Sequence, residues 1–225
     1  MDGILPIYKP AGITSYDVIR QVKRMLLRGQ KVGHAGTLDP FAEGVLLLLL
    51  GKATKRFDEI QSWRKTYLAT ARLGYFSDTL DVTGQINKVP NLAEYSTKVQ
   101  DVANRYVGTI EQVVPSFSAA KYKGKPLYKY ARGGEDVPPK SKKVTVYSIK
   151  VLEPSESNGS NHRTEVQMRV ECGSGTYIRQ LSYDIFHTLG IESYLTSLTR
   201  ERVGEITTND CNRLNAENAL NIWQG

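Results

Sequence analysis

The chain has 225 residues, 40% of them hydrophobic and 24% charged, a composition typical of a globular protein long enough to bury a core. Its two cysteines, Cys172 and Cys211, lie in unrelated contexts, which argues against a disulfide framework or a zinc cluster. The longest apolar run, Val45 to Leu50, is too short to span a bilayer, and the N-terminus has no signal-peptide pattern. We therefore expect a cytoplasmic protein without a membrane segment.

The net charge of +7 is concentrated in one segment. Residues 115–143 contain eight Lys or Arg and two acidic residues, so the rest of the chain is nearly balanced. Charge alone fits a solvated lysine-rich loop equally well, but aromatic residues alternate with these cations, and this mixture favours RNA with unstacked bases. The candidate RNA-binding residues, in an insertion at about residues 112–143, are Lys121, Tyr122, Lys123, Lys125, Lys129 and Arg132.

The first part of the chain predicts strands and helices in a mixed order. Lys65–Leu73 alternates between apolar and polar residues, which indicates a strand with Tyr67 on its apolar face. The elements before it are a strand at Ile4–Tyr8, a helix capped by Thr14 or Ser15 and ended by Gly29, a strand buried on both faces at Val45–Leu50, and a helix with Ala53, Phe57 and Ile60 on one side.

The rest of the chain adds further strands and helices without regular alternation. This pattern predicts an α+β fold, with a mixed, mostly antiparallel central sheet flanked by helices and loops. The predicted elements are a polar turn at Ser77–Gly84, a helix at Ala93–Tyr106, strands at Val144–Leu152 and Glu165–Cys172 around a hairpin loop at Glu156–His162, a helix at Thr176–Leu189, a strand at Tyr194–Val203 and a helix at Asn215–Trp223.

The segment from Gly33 to Leu46 is the strongest candidate for a functional loop. It is rich in Gly and Pro, yet it leads directly into the most hydrophobic strand, and functional residues favour loops anchored on rigid elements. Pro40 disfavours helical geometry at Asp39. An Asp-Pro pair after Thr is also typical of a simple turn, and a lone histidine such as His34 is more often structural, so the residues alone leave both interpretations open.

The same segment resembles a family signature. Residues 33–40, Gly-His-Ala-Gly-Thr-Leu-Asp-Pro, followed two residues later by Glu-Gly-Val-Leu, closely resemble the signature of the TruB family of pseudouridine synthases. Phe41 and Glu43 stand where Leu and Thr are expected. The resemblance extends over about residues 4–206 through Lys9–Gly12, Lys65–Tyr67, Asp78–Asp81, Pro115–Ala119, Ser174–Arg179 and Leu198–Arg200.

The resemblance implies a catalytic set of three residues. Asp39 aligns with the nucleophilic aspartate, Tyr67 with the tyrosine that stacks on the target base, and Arg179 with the arginine that pairs with the aspartate. For substrate binding, His34 aligns with the histidine that assists entry of the flipped nucleotide, and Leu198 matches an apolar pocket residue. The substrate-binding candidates are His34, Lys9, Pro10, Tyr177 and Leu198.

The resemblance also implies the reaction and its partner. The family isomerises uridine-55 in the T-arm of tRNA, and the basic segment resembles the thumb-like insertion that grips the T-loop. Pseudouridine formation is redox-neutral and loses no atom from the product, so we expect no cofactor and no metal. We expect a single catalytic domain over residues 1–225, without a C-terminal RNA-binding domain of the PUA type, and a monomer.

Three alternatives to this activity remain open. They are a tRNA-folding chaperone without catalysis, a pseudouridine synthase for another RNA, and an N-glycosidase that releases uracil. The intact set of Asp39, Tyr67 and Arg179 argues against the chaperone. Free uracil among the products would identify the glycosidase.

Overall fold

The computed structural model describes residues 2–27, 29–89, 98–152 and 165–214. The helices are α1 (Ser15–Met25), α2 (Phe57–Ser62), α3 (Val99–Arg105), α4 (Leu127–Arg132) and α5 (Ile178–His187), with 3-10 turns at Gly51–Arg56 and Thr208–Asp210. The strands are β1 (Gly3–Lys9), β2 (Val32–Ala35), β3 (Glu43–Leu50), β4 (Lys65–Leu73), β5 (Tyr75–Ser77), β6 (Ile86–Lys88), β7 (Gly108–Val113), β8 (Lys121–Tyr122), β9 (Lys125–Pro126), β10 (Ser141–Leu152), β11 (Glu165–Cys172), β12 (Ser193–Val203), β13 (Ile206–Thr207) and β14 (Asn212–Arg213).

The chain divides into two compact units. The first unit comprises residues 1–68 and 198–225, and the second comprises residues 69–197. Strands β4 and β12 each contribute residues to both units. The single catalytic domain over residues 1–225 stays a prediction. No helix in the described ranges is long and apolar enough to cross a bilayer.

Strand β3 is the centre of the first unit. On one edge it pairs antiparallel with all of β1, from Gly3 opposite Leu50 to Lys9 opposite Gly44. Its other edge is shared, because β2 pairs antiparallel with its end and β12 pairs parallel with its beginning. β14 pairs parallel with β1. The predicted α+β class with a mixed sheet is therefore confirmed.

The run of β3 is buried on both faces, as its uninterrupted apolar sequence predicts. Every residue from Val45 to Leu50 is at most 3% exposed. One face packs in a core cluster with residues of β2, α2 and β12. This strand gives the loop that precedes it a rigid base. The buried members of the cluster are Ala35, Val45, Leu47, Leu49, Ala53, Ile60 and Val203.

Helix α1 begins where its cap was predicted and ends early. The Thr14 side chain accepts a hydrogen bond from the Asp17 amide, and the Asp17 carboxylate accepts one from the Thr14 amide, which forms a capping box. The predicted end at Gly29 is wrong, because Leu26 adopts an extended conformation with ψ 158°. Leu27 is 85% exposed, so no burial energy favours another turn.

The second unit is built on an antiparallel arrangement. Its strands lie in the order β12, β4, β11, β10 and β7, and β10 pairs antiparallel with both β11 and β7. The sequence did not predict β2 or β7. The predicted loop at 156–162, the helix at 215–223 and the first residues of the helix at 93–106 lie outside the described residues.

Gly44 is expected to be the least replaceable glycine of the first unit. A Cβ there would lie 2.9 Å from both the carbonyl carbon and the amide nitrogen of Arg200, and its φ is +106°. Gly108 has a similar φ of +113° but open space around a Cβ. We predict that Gly108→Ala costs only the backbone strain, about 1–3 kcal/mol. Gly44→Ala should cost at least about 1–3 kcal/mol more because of the overlap.

Urea unfolding of both variants tests this expectation. A larger loss of unfolding free energy for Gly44→Ala than for Gly108→Ala would show that the close approach of β12 to β3, and not φ alone, requires glycine at position 44. Equal losses would contradict the close packing of β3 against β12.

Candidate active site

The loop of residues 36–42 joins β2 to β3 and carries Asp39 near its middle. The Asp39 side chain is partly exposed. The Asp39 carbonyl accepts a hydrogen bond of 3.1 Å from the Ala42 amide, which turns the chain back into β3. The carboxylate therefore projects from a short, closed turn whose second end is a fully buried strand.

Helix α1 fixes the middle of this loop. The Ser15 hydroxyl accepts from the Leu38 amide at 2.9 Å and donates to the Leu38 carbonyl at 3.1 Å. Ser15 is 2% exposed, so these hydrogen bonds are shielded from water. The Gly12 amide adds a hydrogen bond of 2.8 Å to the Pro40 carbonyl. The residues on both sides of Asp39 are thus held by hydrogen bonds, and those to Leu38 are buried.

Lys9 is a fully buried cation beneath the loop. Its ammonium donates to the carbonyls of Pro10 at 2.8 Å, Ile13 at 2.7 Å and Pro40 at 3.3 Å. Burial is the main cause that lowers the pKa of Lys9 to about 8, while the Asp39 charge acts in the opposite direction. Lys9 was predicted as a substrate-binding residue, and Pro10 as another. In this structure the ammonium supports the backbone of the loop.

Arg200 is a second buried cation, 1% exposed. It was not among the predicted site residues. Its guanidinium donates to the Val45 carbonyl at 2.7 Å and to the Gly36 carbonyl at 2.9 Å, which links β3 to the start of the loop. A longer contact of 3.5 Å reaches the hydroxyl of Tyr67. The only sequence signal for it is its place in the Leu198–Arg200 motif.

The other candidates of the first unit are Tyr67, Leu198 and His34. Tyr67 is 8% exposed and Leu198 is 5% exposed, so both present predominantly buried side chains. Burial, with a smaller contribution from the Arg200 charge, lowers the pKa of His34 and favours a neutral imidazole. The buried Nδ1 of His34 has no hydrogen-bond partner within the described ranges.

Glu43, one of the two departures from the family signature, is engaged by neighbouring hydroxyls. It accepts a hydrogen bond of 3.3 Å from Thr199 and hydrogen-bonds Tyr8. Burial is the first cause that raises the pKa of Tyr8, and the hydrogen bond to Glu43 is the second. The Arg213 guanidinium lies 3.6 Å from the Tyr8 ring centroid. Glu43 therefore ties β1, β3 and β12 together at the edge of the loop.

Arg179 belongs to the second unit and forms a buried ion pair there. Its guanidinium lies 3.0 Å from Asp81, and the two side chains are 4% and 5% exposed. It also donates to the carbonyls of Thr79 at 2.6 Å and Phe117 at 2.9 Å. Asp81 was not among the predicted site residues. The pairing of Arg179 with Asp39 stays a prediction.

The turn that carries Asp81 is tightly wound. The Asp81 carboxylate accepts from the Thr83 amide at 2.8 Å and from the Thr79 hydroxyl at 2.9 Å. Leu80 adopts a positive φ of 61°, which is unusual for a residue with a branched side chain. Hydrogen bonds on every side of Asp81 therefore fix the carboxylate that holds Arg179.

Tyr177 is positioned by a residue that sequence reasoning missed. The buried Gln112 amide accepts from the Tyr177 amide at 2.8 Å and donates to the Tyr177 carbonyl at 3.1 Å. Tyr177 precedes α5 and has no side-chain cap, so Gln112 takes that place. The Lys142 ammonium lies 4.2 Å from the ring centroid of Tyr177. The ring thus lies under a cation near the start of α5.

The predicted RNA-binding residues form a small hairpin followed by α4. Lys123 and Gly124 connect β8 to β9, and both have positive φ, 46° and 81°. That combination gives the two-residue turn that suits the twist of a hairpin. Leu127 is 8% exposed and attaches this structure to its unit.

Cations and aromatic rings are interleaved in this hairpin, as the sequence indicates. Lys125 lies 4.2 Å from the ring centroid of Tyr130, and Tyr130 meets Tyr122 edge-on at 5.9 Å. Arg132 lies 5.6 Å from the centroid of Tyr128. Lys125 also pairs with Glu135 at 2.9 Å, so part of its charge is neutralised. Lys121, Lys123 and Lys129 are exposed.

The first unit therefore brings Lys9, Asp39 and Tyr67 together around Arg200, and the second unit holds Arg179, Tyr177 and the basic hairpin. No group of three or more His, Cys, Asp or Glu side chains suitable for a metal ion occurs among the described residues. The first unit thus has a carboxylate on a hydrogen-bonded loop and a buried aromatic ring whose hydroxyl contacts Arg200.

We predict that Asp81→Ala destabilises the protein by about 3–5 kcal/mol, because it leaves the Arg179 charge buried without its carboxylate. Asp78, in the same turn, is exposed and accepts a hydrogen bond from the Gln85 amide. Asp78→Asn keeps an acceptor there, so it should change the free energy of unfolding by less than about 0.5 kcal/mol. Denaturant unfolding of both variants would contradict the buried pair if Asp81→Ala were equally mild.

Comparison with known proteins agrees with this arrangement of residues. Residues 23–178 match the model of the N-terminal domain of TruB family pseudouridylate synthases. The tRNA pseudouridine synthase B of Clostridium acetobutylicum is 42% identical over 99% of this chain and 76% of its own length. The Listeria welshimeri protein of the same name is 40% identical over 94% of this chain and 69% of its own length.

Solved structures show the same fold. A chain of the Cbf5–Nop10–Gar1 complex matches 94% of this chain with a TM-score of 0.66 and 28% identity. A chain of an H/ACA ribonucleoprotein bound to a substrate RNA containing 2′-deoxyuridine matches with a TM-score of 0.65 and 26% identity. This chain spans about half of each of those chains. By its sequence match and its relatives, the chain belongs to the TruB family of pseudouridylate synthases and is an isomerase.

Proposed function

We propose that the protein isomerises uridine-55 in the T-arm of tRNA to pseudouridine, with Asp39 as the nucleophile. The observation that carries this proposal is the fixed loop around Asp39, whose neighbouring carbonyls are held by Lys9 and Arg200. The curated relatives, named tRNA pseudouridine synthase B, support tRNA as the substrate. We further propose a cytoplasmic monomer that acts without a metal or cofactor.

The geometry suits a carboxylate that must stay ionised while partly enclosed. Desolvation favours the neutral acid, and nearby positive charges oppose that effect. Lys9 and Arg200 supply two buried positive charges in the same unit, and Asp39 in turn raises the pKa of Lys9 against the effect of burial. Arg179 is the proposed third cation. Because the loop is already ordered, little reorganisation is needed when the sugar binds.

The proposed reaction breaks the N1–C1′ bond and forms a C5–C1′ bond. The Asp39 carboxylate traps the sugar at C1′ or promotes a glycal, and the freed uracil turns while it stays bound. C5 then joins C1′, the C5 proton leaves, and N1 gains a proton, so atoms and charges balance. Tyr67 would stack on the uracil during its rotation, which is worth about 1–3 kcal/mol per base.

The target uridine must leave its stack before it can react. The basic hairpin of β8, β9 and α4 would hold the T-loop from outside, since its cations and tyrosines are already in contact before RNA binds. His34, which is partly exposed, would contact the flipped nucleotide. The neutral imidazole favoured by its lowered pKa suits a nucleobase better than a phosphate.

Tritium release tests the reaction and its nucleophile together. A T-arm RNA with tritium at uridine C5 should release tritium to water with the wild-type protein, because C5 exchanges its hydrogen for the sugar bond. Asp39→Asn preserves the size of the side chain and should lower kcat/KM by more than about a thousandfold, or about 4 kcal/mol. Asp58→Asn removes an exposed carboxylate of the same unit and should leave the rate unchanged.

The alternatives give different results in the same assay. Tight RNA binding without tritium release would contradict the isomerase and favour a chaperone or another RNA target. Free uracil in the products would identify a glycosidase. Release that persists in Asp39→Asn would overturn the assignment of the nucleophile.

Lys9 predicts how activity depends on pH. Its ammonium loses its charge as pH rises through about 8, and with it the attraction to Asp39 and one donor to the loop. We therefore expect kcat/KM to fall above about pH 8. Lys9→Met should show a lower rate without this fall, since the titrating group is gone.

Stability should change in the opposite direction over the same range. The pKa of Lys9 is about 8 in the folded protein and 10.5 as its ordinary value, so the unfolded chain binds more protons between these values. This group therefore raises the free energy of unfolding as pH increases from about 8 to 10.5. Urea unfolding across the range separates the two effects. A parallel loss of stability and activity would contradict a local role for Lys9.

A further inference from the structure

A cleft lies beside β2, outside the loop of Asp39. Its volume is about 650 Å³, and it lies between the end of α1, the start of β2 and the 3-10 turn at Gly51–Arg56. Lys23 and Lys31 line it together with the apolar side chains of Leu26, Leu27 and Val32. No acidic side chain is among its described lining residues. Its chemistry therefore combines two cations with an apolar surface.

The walls of the cleft are fixed while its lysines are exposed. The Lys31 carbonyl accepts a hydrogen bond of 2.9 Å from the Gly51 amide, which ties the start of β2 to the 3-10 turn. Leu27 is 85% exposed, the most exposed of the large hydrophobic side chains described. Lys23 and Lys31 are exposed, and the described ion pairs include neither. An anion can therefore approach both ammonium groups.

The cleft is aligned with the proposed RNA site through β2. Alternate residues of a strand point to the same face, so Val32, which lines the cleft, and His34 project from one face. Two residues of a strand span about 6.6 Å, comparable with the reach of one extended nucleotide. An RNA strand that places a nucleotide against His34 would thus extend its neighbour into the cleft.

We propose that this cleft binds a nucleotide adjacent to the target uridine in the same RNA strand. Lys23 and Lys31 would contact its phosphodiester, and Leu26, Leu27 and Val32 would pack against its ribose or base. This inference rests on the proposed function, because it assumes that the target uridine is held near His34. It adds a second RNA contact, in the first unit, to the basic hairpin of the second unit.

Salt dependence of binding measures the proposed phosphate contact. We would compare wild type, Lys23→Gln/Lys31→Gln and the control Lys88→Gln/Lys150→Gln, which removes the same charge from exposed lysines of the second unit. For the cleft variant, the slope of log Kd for T-arm RNA against log salt should become shallower by about 0.7, the value for one phosphate contact. The control should retain the wild-type slope, and Lys23→Arg/Lys31→Arg should retain it as well.

A neutral linkage in the RNA identifies which phosphate is bound. We would place a methylphosphonate on either side of the target uridine. One of the two should weaken binding to wild type and to the control, but cause no further loss in Lys23→Gln/Lys31→Gln. Equal slopes for the cleft and control variants, or the same methylphosphonate effect in both, would overturn the proposal. Tritium release tests the reaction separately, and these binding comparisons can be made whatever its result.

Discussion

The position of Asp39 depends on buried cations that donate to backbone carbonyls. Lys9 and Arg200 are 0% and 1% exposed, and they donate mainly to carbonyls of the loop and of adjacent segments. A buried charge is costly unless its donors are satisfied, and here the satisfaction comes from the chain segments that must be held. Loosening the loop would expose unpaired ammonium and guanidinium donors to an apolar interior. The same interactions that make the cations tolerable therefore make the loop rigid.

The second unit also buries a cation, but there a carboxylate compensates its charge. Arg179 meets a carboxylate, Asp81, in addition to the carbonyls of Thr79 and Phe117. The turn around Asp81 fixes that carboxylate through hydrogen bonds from Thr79 and Thr83. An always-charged guanidinium with several donors suits this role, whereas a lysine would titrate more readily when buried. Lys9 in the first unit is an example, because burial lowers its pKa to about 8.

The elements that could be predicted from the sequence are those in which burial leaves a regular pattern of apolar residues. β3 and β4 were predictable, because a continuous apolar run and an approximate alternation both record which side chains are buried. β7 exposes most of its side chains and buries only Gln112, and β2 has four residues that include a glycine and a histidine, so neither has a hydrophobic period. Arg200 and Asp81 gave no residue-level signal. Their burial arises from partners distant in sequence, and only the motif resemblance marked them.

The distribution of charge also explains why one basic segment is an incomplete account of RNA binding. The hairpin of β8 and β9 holds cations against aromatic rings, and Lys125 is partly neutralised by Glu135, so its residues suit contact with bases as much as with phosphates. Phosphate contacts set position and register, and they must also exist near the reacting nucleotide. Lys23 and Lys31 line the cleft with Val32, which shares a face of β2 with His34, and no acidic side chain is among the described lining residues. Holding the strand there would oppose return of the flipped uridine to its stack, because a neighbouring phosphate would have to leave its lysines first.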